Sequence, residues 1–330
     1  MFTAFLLLYL MKTPSLIMRF SLLFLFSASF CYSQNWDSEK IEVSDASNSC
    51  IILGSKCIYD DQWESLPQAM FWKQIMQLSP DSCLVNVAAT RVVLKKMAFK
   101  TWNSQTEAQK ALFKDSLRKA NDLSLGEQLF VTTGKSDFYL FNDVYPSLSK
   151  GVSAFENQGV DPWYAQAILL IESPGQLKKS CAGAYGAFQL MPSVARAQGL
   201  VVTKNIDERQ DFDKSAMGSA RLIHRICIPE ARRILDAHNL TYNESDLWFR
   251  LFVMHVYHAG AMNVRAVVDK IGPTQGSQEL ITKMWQTTAA HFGNSSQNYT
   301  QLVLASQIIL SEMVADNSRE CVNFKVVDSQ

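Results

Sequence analysis

The chain carries no surplus of charge: 31 Lys and Arg balance 31 Asp and Glu over 330 residues. It shows no basic patch interleaved with aromatics, so nothing marks a nucleic-acid partner. Its five histidines form no i, i+4 pair beside a Glu on a helix, and no cysteine spacing resembles a zinc site. Neither a metal nor a cofactor is therefore expected. There is no internal repeat, and no nucleotide or nucleophile motif in the amino-terminal half. No stretch alternates apolar and polar residues at any length, which argues against an all-β architecture and predicts a mainly α fold.

What is present describes an ordinary globular protein, 48% hydrophobic and 19% charged, with room for two domains. Residues 1–33 read as a signal peptide. Lys12 and Arg19 precede an apolar run at 21–30, too short for a membrane span, and Cys31-Tyr32-Ser33 forms the cleavage region. Residues 1–10 are apolar and uncharged, so Met11 is a plausible true start. Export to the periplasm follows. Lipidation of Cys31, with association at the outer membrane, is the alternative, and Phe30 argues against it because small residues are expected there. Six cysteines remain after cleavage, and six allow 15 pairings between which the sequence does not choose.

Along the mature chain, residues 34–56 are polar and Ser-rich and read as a mobile leader. Helical spacing follows over 63–133: Trp72, Ile75 and Met76; then, less regularly, Val85, Ala88, Val92 and Met97; then Ala108, Ala111, Leu112 and Leu117. Residues 34–136 thus read as a helical amino-terminal support. A turn at 134–137 marks a boundary before a second domain over 137–318, and 319–330 reads as a tail.

One helix in that second domain carries chemistry. Asp161-Pro162 is a helix start, and 163–171 is nearly all apolar, the mark of a buried helix. Pro174 and Gly175 stop it, leaving Glu172 at its carboxyl end. There the helix dipole and burial both disfavour a negative charge and raise an acid's pKa. On the helix alone, a solvated Glu at a helix end is the better fit, since helix ends are usually polar. Eleven positions on stands Gly183-Ala184-Tyr185-Gly186-Ala187-Phe188-Gln189-Leu190-Met191-Pro192, which with the acid could line a groove.

Glu172-Ser173, Ser180, Gly183-Ala184, Gly186 and Gln189-Leu190-Met191-Pro192 together resemble the soluble lytic transglycosylase domain, a lysozyme-like fold. Val256-Tyr257-His258-Ala259-Gly260 is similar to that family's Tyr-Asn-Ala-Gly motif. Asp207-Glu208-Arg209-Gln210-Asp211 with Ser215 resembles the branch typified by membrane-bound lytic transglycosylase D. The likeness spans roughly residues 137–310. It implies cleavage of the bond between N-acetylmuramic acid and N-acetylglucosamine in peptidoglycan glycan strands, without water. Glu172 would protonate the leaving oxygen and then take the proton of the muramoyl 6-hydroxyl, which closes a 1,6-anhydro ring. The substrate's acetamido group would replace a second carboxylate. Ser173, Gln189, Met191, Tyr257 and His258 match positions that support the acid or the sugars.

The chain departs from the family's pattern in places. Ala187-Phe188 stands where a pair such as Leu-Met is usual, a packing change. His258 replaces Asn, Met262 replaces Gly, and the span from Glu172 to Ser180 is one residue short. Two other readings use the same residues: a hydrolase like goose-type lysozyme, and a wall-binding protein with a dead site. The survival of Glu, Ser, Gln and Tyr counts against the last.

Overall fold

The computed structural model describes residues 36, 38–44, 49–54, 56–172, 179–180, 182–319 and 323–327. The expected signal peptide lies outside them, as do Ser173, Cys181 and Cys321. Helix dominates, beside two three-stranded sheets.

The first sheet corrects the reading of residues 34–56 and 319–330. Strands β1 (Lys40–Ser44) and β2 (Ser49–Leu53) form an antiparallel hairpin where a mobile leader is expected. Strand β6 (Asn323–Val327), within the expected tail, pairs with the other edge of β1. Ile52 and Leu53 are buried. Gln166 clasps Leu53 on both sides, accepting from its N–H at 2.8 Å and donating to its carbonyl at 3.0 Å. The N–H of Ile51 donates to Ser149 Oγ at 2.6 Å. The hairpin is thus fastened to the helices behind it. Alternation over five residues, set among serines, is too short a signal to stand out in the sequence.

Next come α1 (Cys57–Asp60) and α2 (Pro67–Gln77), which buries Phe71, Trp72, Ile75 and Met76 at helical spacing. The second sheet, of order β4-β3-β5, corrects the helical reading that follows. It comprises β3 (Ser82–Val87), β4 (Val93–Ala98) and β5 (Leu129–Thr133). Val85 and Met97 lie on strands, and Ala88 and Val92 in the turn between β3 and β4. Residues 83–87 of the central strand are all buried. A strand covered on both faces does not alternate, so periodicity cannot tell it from helix.

Helix α3 (Phe99–Asn103) leads to α4 (Glu107–Ala120), which opens on a Thr106–Gln109 capping box. Ala108, Ala111 and Leu112 face outward, contrary to the expected stripe. Phe113 and Leu117 pack instead on Val85, Val87 and Leu129.

The remaining helices build the larger core. They are α5 (Phe141–Glu156), α6 (Trp163–Glu172), α7 (Pro192–Ala197) and α8 (Phe212–Leu222), which runs through a π-turn into α9 (Ile228–Ala237). Then follow α10 (Leu247–Ala259), α11 (Ala261–Ile271), α12 (Gln278–Met284) and α13 (Asn294–Arg319). Every residue of α6 from Trp163 to Ile171 is buried. Each large apolar side chain there contributes about 1.5–3 kcal/mol. Asp161 caps the helix by accepting from the N–H of Trp163 at 2.9 Å. Its other oxygen accepts from Arg250 Nε of α10 at 2.8 Å, a buried ion pair that fixes where α6 begins. Ile52, Phe71, Leu170, Phe252 and Leu304 belong to the same core.

Candidate active site

Helix α6 ends on Glu172 with its carboxyl desolvated, and burial raises the pKa from the ordinary glutamate value to about 7. The helix carboxyl end adds to this. The Tyr299 hydroxyl of α13, buried and with no other partner, lies beside the carboxyl and offsets part of the rise by favouring the charged form. Tyr139, just before α5, and Tyr257 of α10 also sense the Glu172 charge. Burial and that charge raise the pKa of all three phenols, so each remains a protonated donor at neutral pH.

Tyr257 also shapes the glycine-rich loop. Its hydroxyl donates to the Phe188 carbonyl at 2.7 Å and lies 3.1 Å from Ser219 Oγ of α8. Phe188 is fully buried and stacks on Phe155 at 5.7 Å, so the departure at 187–188 is a core-packing change. His258 is exposed and stacks on Tyr299 with ring centroids 4.1 Å apart. Desolvation lowers its pKa. The groups that shift Glu172 do not include it. His258 therefore backs the tyrosine.

The loop itself is a small curl in which Tyr185 and Leu190 exchange backbone hydrogen bonds at 3.1 and 3.2 Å. Ser180 Oγ accepts from the N–H of Ala184 at 2.9 Å. Gly186 has φ 84°, and a Cβ there would stand 1.9 Å from the Arg209 carbonyl oxygen, so only glycine fits. Ser215 packs against the same glycine. Arg209 Nη1 donates to the carbonyls of Gly183 at 2.8 Å and Leu190 at 2.9 Å. Asp207 holds that guanidinium through bonds of 2.8 and 2.7 Å. The acidic-basic segment at 207–211 is thus a clamp on the loop.

Gln189 has φ 47° and returns its side-chain amide to the Gly186 carbonyl at 2.9 Å. Met191 stands 39% exposed where the loop enters α7. Met262, in the place of the usual glycine, is 80% exposed. Glu172 and Tyr257 are brought together, Gln189 and Met191 lie on the clamped loop, and Ser173 is outside the described residues. Sequence reasoning missed Tyr139 and Ser219. Neither sits at a telling spacing from Glu172, because the fold brings Tyr139 in from the turn before α5 and Ser219 to Tyr257 from α8.

A carboxyl with pKa near 7, beside the protonated Tyr299 hydroxyl, can give a proton and take one back at neutral pH. Among the described residues no group of three His, Cys, Asp or Glu is placed to hold a metal ion. No family model matches the chain, and no curated protein is significantly similar to it.

Proposed function

We propose that this protein is a peptidoglycan lytic transglycosylase, with Glu172 as acid and then base. The carrying observation is the Glu172 carboxyl itself, raised to about 7 at the end of a buried helix. Protonated, it donates to the glycosidic oxygen between N-acetylmuramic acid and N-acetylglucosamine. The carboxylate so formed is stabilised by the Tyr299 hydroxyl. It then takes the proton of the 6-hydroxyl, whose oxygen closes on the anomeric carbon. Among the described residues no other carboxylate shifts Glu172, which suits a reaction in which the acetamido group steadies the cation. A glycine loop fixed by Arg209 and Tyr257 would form one wall for the sugars.

The test is mass spectrometry of purified sacculi digested with the protein. Fragments ending in 1,6-anhydro-muramic acid support the reading. Reducing ends would instead make it a hydrolase on the same residues. Release by Glu172→Gln at the wild-type rate would remove Glu172 from the chemistry.

A further inference from the structure

A cavity of about 380 Å³ opens between α2, α3, α4, β5 and the first turn of α13, lined in part by Trp72, Arg91, Trp102, Lys114 and Asn298. Among the described residues no acidic one lines it. Arg91, in the β3–β4 turn, is only 5% exposed. Its guanidinium carbon lies 5.5, 5.9 and 5.6 Å from the ring centroids of Phe71, Trp72 and Phe130. Nη2 donates to Asn298 Oδ1 at 2.7 Å and Asn294 Oδ1 at 3.3 Å, while among the described residues Nε and Nη1 have no hydrogen-bond partner. Among the described residues no carboxylate pairs with Arg91 or with Lys114, whose ammonium lies 5.6 Å over Trp102. A buried cation without a counter-ion is costly, and aromatic faces offset only part of that cost. The amino end of α13, which starts at Asn294, adds positive potential.

The shape of the cavity narrows the class of ligand. Strand β5 is the edge of its sheet. Four consecutive residues of it, 129–132, line the cavity. Side chains alternate between faces along a strand, so four in a row border one space only if that space follows the strand's edge. An unpaired edge offers backbone donors and acceptors to an extended chain.

We propose that this cavity is a second binding site, for the carboxyl-terminal end of a short extended peptide. The peptide backbone pairs with β5, its terminal carboxylate meets the free side of the Arg91 fork, and its last side chain lies among Trp72, Trp102 and Phe130. Asn298 neighbours Tyr299 on α13, so this site and the Glu172 site share a helix. The proposal does not depend on the chemistry at Glu172.

The test uses fluorescein-labelled random hexapeptides with free carboxyl ends, the same pool amidated, and inorganic phosphate as competitor, with binding to the whole protein read by anisotropy. Free acids should bind, and amidation should weaken binding about tenfold or more. Arg91→Gln should cost as much, Lys114→Glu should weaken binding severalfold, and Glu172→Gln should change nothing. If Arg91→Gln does not fold by circular dichroism, amidation and Lys114→Glu decide. Equal binding of acid and amide overturns the proposal, as does absence of binding at millimolar peptide. Displacement by phosphate at equal concentration would show a plain anion site, and loss of binding in Glu172→Gln would place the peptide in the other site; either result also overturns it.

Discussion

A glutamate whose pKa is about 7 stands divided between its two forms in neutral solution. If Glu172 acts first as an acid, kcat/KM should fall as pH rises through about 7, because the free enzyme then loses the proton that it must donate. An activity that is flat or rising through that range would contradict the role. Stability carries the same signature. The folded pKa lies above the unfolded one, so the native state binds more protons between about 4.5 and 7 and loses stability as pH rises through that window. Glu172→Gln removes this term. It should leave stability nearly unchanged at pH 4 and raise it by on the order of 3 kcal/mol at pH 8, read from denaturant titrations at the two pH values. Its activity should drop roughly 100- to 10,000-fold. The neighbours differ in what they hold. Tyr257→Phe leaves the Phe188 carbonyl without its donor, at about 1–3 kcal/mol, and loosens the loop. His258→Asn loses a stacking contact of about 0.5–1.5 kcal/mol on an exposed face. Assayed on the same sacculi, the Tyr257 variant should be the more impaired; the reverse order would give His258 a chemical part.

At the scale of elements, the glycine loop is set by clamps from outside it. Gly183 and Gly186 both have positive φ, yet only Gly186 abuts backbone. Gly183→Ala should cost about 1–2 kcal/mol, the strain alone. Gly186→Ala adds a collision with the Arg209 carbonyl and should cost clearly more, with a fall in activity to match. Thermal melts of the two variants separate the effects, and equal losses would mean that the Arg209 segment yields easily. The sequence showed the glycines, the Asp207–Asp211 segment and Tyr257 as separate motifs. That they meet was not legible, because the Arg209 bonds cross 19 to 26 positions and the Tyr257 bond crosses 69. Helix α6, by contrast, was legible at both ends. Its cap, its proline and its unbroken apolar run are local signals.

Across the whole molecule, the hairpin β1–β2 is part of the structure and does not trail from it. Removing residues 34–53 would uncover the pocket filled by Ile52 and Leu53 and leave Gln166 with fewer partners. The expected loss is about 4 kcal/mol or more, which for a chain of this size lowers Tm by roughly 10 °C. A truncated protein melting with the full one would restore the leader reading. The basic-aromatic cluster is likewise a product of assembly. Arg91 meets Trp72 and Phe130 only when α2 packs beside the second sheet, while Lys110 and Lys114 reach Trp102 across the connection from α3 to α4.

By itself the sequence determined the mainly α character, the buried helix and the acid at its end. Those rest on periodicity, capping and termination, which act over a few residues. Tertiary structure decided the rest: the two sheets, whose strands are either too short to show alternation or buried on both faces, and the Tyr299 hydroxyl beside Glu172. It alone set that carboxyl's pKa. A pKa depends on what is desolvated and which donors face it, and here those groups come from segments more than a hundred residues apart.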